Sequence, residues 1–235
     1  STLEMLQVLL IALSFLAYVA YAGAGLAWLA LPDRLRPRWP IFPPLFGAGR
    51  VGVAAHWAAG AGRTTGWGVA AALAAATVFN ATAIMIVRRA GLAVTLRSLW
   101  DAAARLRGAG LAALAAAVFV AAVSPLVAGP RADGASIIGH NGDAITHVLL
   151  AESLGATGSP HDIFEKNPQW HAYGGYPFRP MKGYLVGGLA LVDHARWLAG
   201  VPHFRAYSVV SAALLALALL SACLLCAPGA GRRFW

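Results

Sequence analysis

Long apolar runs without charge constrain this chain more than any other feature. Residues 3–31 (LEMLQVLLIALSFLAYVAYAGAGLAWLAL) contain one acidic residue and no basic one. A bilayer core about 30 Å thick is crossed by about 20 residues of helix, so this run is long enough to span it. The chain as a whole is 59% hydrophobic with a mean hydropathy of +0.66, outside the range of soluble domains. The sequence therefore predicts an all-α, polytopic membrane helix bundle.

Four more runs bring the number of predicted spans to about five. They cover residues 41–61, 66–87, 110–129 and 207–227. The run 41–61 is the weakest, because Arg50 and His56 are costly in a bilayer unless they face protein or water. Leucines at helical spacing among arginines predict an amphipathic helix over 92–107, lying on the membrane surface.

The distribution of charge predicts the orientation. The formal net charge is +9, and the basic residues gather in the segments 32–40, 88–109 and 228–235. Basic loops face the cytoplasm, so we expect a plasma-membrane protein with its N-terminus outside and its C-terminus inside. This pattern also accounts for the positive charge without nucleic acid as a partner, since no exposed platform of bases and aromatics is evident. The segment 130–206 is then extracytoplasmic, and it holds six of the nine acidic residues and six of the seven histidines.

The stretch GHNGDAITHVLLAESL (139–154) carries the strongest candidate site. Asn141 can cap a helix that begins at about Gly142 or Asp143. Helical spacing then places Asp143, Thr146, His147, Leu150 and Leu154 on one face, with Glu152 elsewhere. A carboxylate next to an imidazole can act as a general base or bind a metal. A capping acid beside a structurally satisfied histidine is the simpler interpretation, and it stays open.

Two further segments complete the extracytoplasmic part. Residues 158–183 are rich in proline and aromatic residues, which is typical of a functional loop or of an interfacial aromatic belt. In 184–207, Asp193, His194 and Arg196 interrupt a short apolar run. We therefore expect a juxtamembrane helix in the outer leaflet rather than a further crossing.

The order of these parts resembles the first extracytoplasmic loop of GT-C-type membrane glycosyltransferases, which use polyprenyl-phosphate sugars. The matching segments are GDAITHVLLAESLGATG (142–158), GGYPF (174–178), YLVGGLALVDHARWLAG (184–200) and the run from Tyr207. The resemblance covers roughly residues 110–227. It divides the chain into N-terminal spans, 1–109, and a GT-C-like unit, 110–235.

The resemblance implies an activity and a set of site residues. Asp143 would be the catalytic base that deprotonates the acceptor hydroxyl, and His147 would orient Asp143 or contact a phosphate. Arg179 and Lys182 would neutralise the lipid phosphate, and Tyr176 and His171 would contribute to substrate binding. The implied partners are a lipid-linked sugar donor and membrane lipids. No cofactor is specified, and a divalent cation at the acidic site stays open.

The family has one span before this loop, whereas here three further spans precede the equivalent one, 110–129, and a single span follows the loop. We expect either the N-terminal part of a longer protein or a reduced relative. The alternative function is a non-catalytic membrane subunit whose outer loop docks on other subunits of a larger complex.

Two weaker alternatives have chemical features of their own. A transition-metal site could use histidines and one acid, although their spacing matches no zinc motif; the candidates are His140, Asp143, His147, His161 and His171. A transporter could line a path with Arg50 and His56, but half-helix repeats are not evident. Cys223 and Cys226 lie in an apolar run and are interpreted as inert thiols.

Overall fold

The structure is a computed structural model that describes residues 2–32, 39, 41–89, 113, 116–121, 142–157 and 186–226. These residues form six helices of fourteen or more residues and a short helical stretch at 116–121, and they contain no strand. The helices are α1 (Thr2–Ala30), α2 (Pro43–Gly60), α3 (Thr65–Arg89), α4 (Gly142–Thr157), α5 (Val186–Ala199) and α6 (His203–Cys226). The predicted all-α class is confirmed.

Within the part of the chain that the structure describes, three helices are long and apolar enough to cross a membrane. The spanning segments are Leu6–Ala30 in α1, Thr65–Arg89 in α3 and His203–Ala222 in α6. They correspond to the first, third and last predicted spans. Helix α2 forms where the second was predicted, but with 18 residues that include Arg50 and His56 it is not among these three. The span predicted at 110–129 lies largely outside the described residues, and the amphipathic helix at 92–107 lies outside them entirely.

Helices α1 and α2 pack antiparallel with their backbones in contact. A methyl group on Gly47, early in α2, would overlap the carbonyl of Val19, and one on Gly23, late in α1, would overlap that of Pro43. Glycine at both positions removes the side chains that would hold the helices apart. Gly25 contacts the backbone of Phe79 on α3 in the same way.

Polar side chains between α1, α2 and α3 are paired. Arg50 donates to the carbonyl oxygens of Ala22, at 2.7 Å, and Ala72, at 3.3 Å, and its guanidinium lies 4.8 Å from the Phe79 ring centre. Asn80 accepts from the backbone N–H of Gly25 at 2.6 Å. Arg50 therefore faces protein, which is one of the two settings in which an arginine is tolerated within a bilayer. His56, in contrast, is exposed.

Helix α5 lies inside the bundle of described helices, and its predicted position in the outer leaflet stays a prediction. All seven residues from Leu189 to Ala195 are buried, and α5 packs against α1, α2, α3, α4 and α6. It ends at Ala199, in agreement with the matched segment 184–200, whereas the next helix begins earlier than predicted. Gly200 takes a left-handed φ of 65°, Pro202 follows, and α6 begins at His203 rather than near Tyr207. The acidic and basic residues that interrupt this run have partners inside the protein, so the helix does not need to lie at the surface.

One end of the bundle collects most of its buried polar groups. Arg205, early in α6, donates to Gln7 of α1, and Val209 packs with Ile11 and Ala12, so α1 and α6 begin at the same end. Helix α3 runs parallel to α1: Gly68, early in α3, lies beside His194, which contacts Tyr18, and Phe79, later in α3, contacts Gly25, later in α1. We call the end where α1, α3 and α6 begin the polar end.

The larger hydrophobic cluster of the described residues draws on both predicted parts of the chain. It includes Phe15 and Val19 from α1, Leu150 and Leu154 from α4 and Leu189 from α5. The division at residue 109 stays a prediction about sequence organisation.

Candidate functional site

Helix α4 has the start and the buried face that the sequence predicts. It begins at Gly142, so Asp143 lies in its first turn. Leu150 and Leu154 are buried in the core and Glu152 is exposed, as the predicted faces place these three residues. The packing of its C-terminal half fixes the direction in which the N-terminal half of α4 extends.

His147 lies one turn after Asp143 and contacts α6. The centre of its imidazole ring is 6.3 Å from that of Tyr207, with 37° between the ring planes. Spacing of i and i+4 makes positions 143 and 147 neighbours along the helix surface. His147 therefore packs near the start of α6, a helix long enough to span the membrane, and Asp143 lies one turn earlier on α4.

The other predicted site residues lie outside the described part of the chain. These are His171, Tyr176, Arg179 and Lys182, together with the metal-ligand candidates His140 and His161. Within the described ranges, no group of three or more His, Cys, Asp or Glu side chains could hold a metal ion. The substrate-binding and metal assignments stay predictions.

A second polar cluster, which sequence reasoning did not identify as a site, surrounds Asp193 on α5. Asp193 is 1% exposed. Thr65 donates its hydroxyl to Oδ2, and Nε2 of His203 lies 2.9 Å from Oδ1. Nε of Arg196 is 3.8 Å from the same oxygen. A carboxylate is stable in such a buried position only with partners of this kind, and here α3, α5 and α6 each supply one.

His194, the next residue, faces a different set of helices. It is 2% exposed, and its Nδ1 lies 3.0 Å from the hydroxyl of Tyr18 on α1. Burial lowers the pKa of His194 from 6.5 to about 4, and the nearby charge of Asp193 only partly opposes this shift. The imidazole is therefore neutral near pH 7.

A small crevice opens beside these two residues, between α5 and the turn that joins α2 to α3. It measures about 220 Å³ including its open mouth, and the space inside accommodates about one water molecule. Its polar lining comes from Arg63, Thr64, Thr65, Asp193 and His194.

The Asp193 cluster and the Asp143 end of α4 are separate sites. Helix α4 crosses α5 at Gly155, where a methyl group would come within 2.9 Å of Cγ of Asp193. Asp143 precedes Gly155 by twelve residues, which is about 18 Å along the helix axis. Asp193 is therefore a structural acid at the crossing of α4 and α5, and it does not belong to the predicted catalytic pair.

The sequence did contain a signal for the second cluster. Asp193, His194 and Arg196 stand together in an otherwise apolar helix, and ionisable groups in such a setting need partners. Their partners Thr65, Tyr18 and His203 lie in three other parts of the fold, and a single sequence does not indicate those contacts.

The chain matches no protein-family model, no curated protein and no solved structure. The likeness to GT-C glycosyltransferases thus rests on the order of segments in the sequence alone.

Proposed function

We propose that this chain is a membrane glycosyltransferase, or part of one, that transfers a sugar from a polyprenyl-phosphate donor to an acceptor on the extracytoplasmic face of the plasma membrane. The observation that carries the proposal is helix α4. It begins at Gly142, places Asp143 in its first turn, and docks by its other half on α5 and α6. The N-terminal end of α4 is thus held at a fixed distance from a membrane-spanning helix, where a lipid-linked substrate arrives laterally.

In the proposed reaction Asp143 acts as the general base. Its carboxylate takes the proton of the acceptor hydroxyl while that oxygen bonds to the anomeric carbon of the sugar. The bond from the anomeric carbon to the phosphate oxygen breaks, and the lipid phosphate leaves with the electron pair. Arg179 and Lys182 are proposed to stabilise the charge on that phosphate, with His171 and Tyr176 contacting the substrate.

His147 is proposed as a positioning residue. Its ring is held against Tyr207, and a side chain fixed in this way can restrict the rotamers of an acid one turn earlier. We expect a variant lacking this imidazole to lose part of the activity while the dependence on Asp143 remains.

The test is sugar transfer by purified variants from a polyprenyl-phosphate donor. Asp143→Asn should reduce the transfer rate by about 100-fold or more, because it removes the proton acceptor and preserves the size of the side chain. Glu152→Gln is the matched control: it neutralises an exposed acid on another face of the same helix, and it should transfer at the wild-type rate.

Normal transfer by a well-folded Asp143→Asn variant would overturn the proposal. Transfer by neither the wild type nor any variant, together with stoichiometric companions in the purified material, would favour the accessory-subunit alternative.

A further inference from the structure

The crevice at the polar end opens at the level of three exposed tryptophans. Trp57 lies in the last turn of α2, Trp67 in the first turn of α3 and Trp197 in the last turn of α5. Their exposed fractions are 76%, 61% and 49%. Exposed tryptophans of membrane proteins concentrate at the headgroup level, where the ring is partly in lipid and its N–H reaches water. The mouth of the crevice therefore lies among lipid headgroups.

His194 leaves one hydrogen-bonding atom facing this crevice. If Nδ1 donated to Tyr18, both the phenolic O–H and Nε2 would lack a partner among the described residues. If Tyr18 donates to Nδ1, only the N–H at Nε2 is left. The second arrangement leaves fewer buried groups unsatisfied, so Nε2 carries the proton. This atom lies 2.9 Å from the position of a Cβ on Gly68, which also lines the crevice.

The charges around the crevice favour an anion. Arg63 lines it, with its guanidinium 5.3 Å from the Trp67 ring centre, and this stacking holds the cation at the mouth. Asp193 is the acidic group of the lining, and Thr65, His203 and Arg196 surround its carboxylate. The groups left to face a ligand are the Arg63 guanidinium, the Thr64 hydroxyl and the N–H of His194, all of which can donate.

We infer that this crevice binds an anionic phospholipid, one of whose phosphate oxygens enters it and accepts a hydrogen bond from Nε2 of His194 while Arg63 neutralises the phosphate at the mouth. The space inside suits one oxygen atom, and the rest of the headgroup stays outside among the tryptophans. The site is independent of the proposed transfer reaction, since it lies at the far end of α4 from Asp143.

Native mass spectrometry of the full chain in detergent, with added phosphatidylglycerol, tests this inference. The wild type should retain one lipid. Arg63→Gln removes the cation and Gly68→Ala places a methyl group where the oxygen would lie, so each should weaken binding about tenfold. Arg88→Gln is the matched control, because it removes an exposed charge at the opposite end of α3 and should bind like the wild type.

The outcomes are distinct. Lipid retention at the wild-type level by a folded Gly68→Ala protein would overturn the proposal. An equal loss of lipid binding in Arg63→Gln and Arg88→Gln would overturn it as well, because the net charge of the protein alone would then explain the binding. Displacement of the lipid by millimolar inorganic phosphate would identify a free-phosphate site instead. Should Gly68→Ala fail to fold, the comparison of the two surface arginines still decides between a site and a general effect of charge.

Discussion

Asp193 and His194 are neighbours in sequence, yet successive positions on a helix point about 100° apart and so meet different partners. Asp193 joins α3, α5 and α6 through Thr65 and His203, whereas His194 joins α5 to α1 through Tyr18. One dipeptide therefore ties four helices together at the polar end. Both side chains are more than nine-tenths buried, and burial lowers the pKa of His194, so the protonation of His194 is coupled to folding.

His194 predicts a pH dependence of stability with a definite sign. Its pKa is about 4 when folded and 6.5 when exposed, so between these values the unfolded chain binds a proton that the folded chain does not. Stability is therefore full above about pH 6.5 and falls as the pH drops toward 4. The free energy of unfolding in mixed micelles should decrease by roughly 2 to 3 kcal/mol from pH 7 to pH 4.5 on account of this residue.

The control compares the size of this pH effect in two histidine variants. His194→Gln should show a smaller decrease than the wild type, whatever its stability at pH 7, while His56→Gln, which alters an exposed imidazole, should keep the full decrease. An undiminished effect in His194→Gln would contradict the assignment.

At the scale of elements, direct contact between the two backbones sets the distance between α1 and α2. Gly23 and Gly47 lie where the two helices touch, and any side chain there would overlap a carbonyl of the partner helix. In lipid the association of helices depends on such close packing, because burial of apolar surface gives little advantage when the solvent itself is apolar.

Two glycines on α2 provide a matched pair for this contact. Gly47→Ala should lower the free energy of unfolding by about 2 kcal/mol, because the helices must separate. Gly49→Ala, two residues along and with open space around it, should be neutral or stabilising by up to about 1 kcal/mol. Equal values for the two variants, measured by unfolding in mixed micelles, would show that the close approach does not limit stability.

The helices themselves were predictable because apolar length and helical spacing are local properties. The runs that became α1, α3 and α6, the start of α4 at Gly142 and its buried leucines all follow from such patterns. The sequence did not reveal that α5 lies inside the bundle, because its buried Asp193 and His194 are matched by Thr65 and Tyr18 from distant segments. Pairings over more than a hundred residues leave no periodic trace in one sequence.

At the scale of the whole molecule, the polar end brings together the Asp193 cluster, the crevice and the exposed tryptophans. The opposite end carries Arg88 and Arg89 in the last turn of α3. By the positive-inside rule we propose that the arginine end faces the cytoplasm and the polar end faces outward. The proposed transfer reaction and the predicted extracytoplasmic position of residues 130–206 both depend on this orientation.

Sided labelling of single cysteines tests the orientation most directly. Cys223 and Cys226 are first replaced by serine, and one cysteine is introduced as Ala61→Cys, exposed in the α2–α3 turn, or as Ala30→Cys, exposed at the opposite end of α1. A membrane-impermeant maleimide added to intact cells should label position 61 and leave position 30 unlabelled until the membrane is opened. Labelling of position 30 alone in intact cells would place the polar end in the cytoplasm and contradict the account.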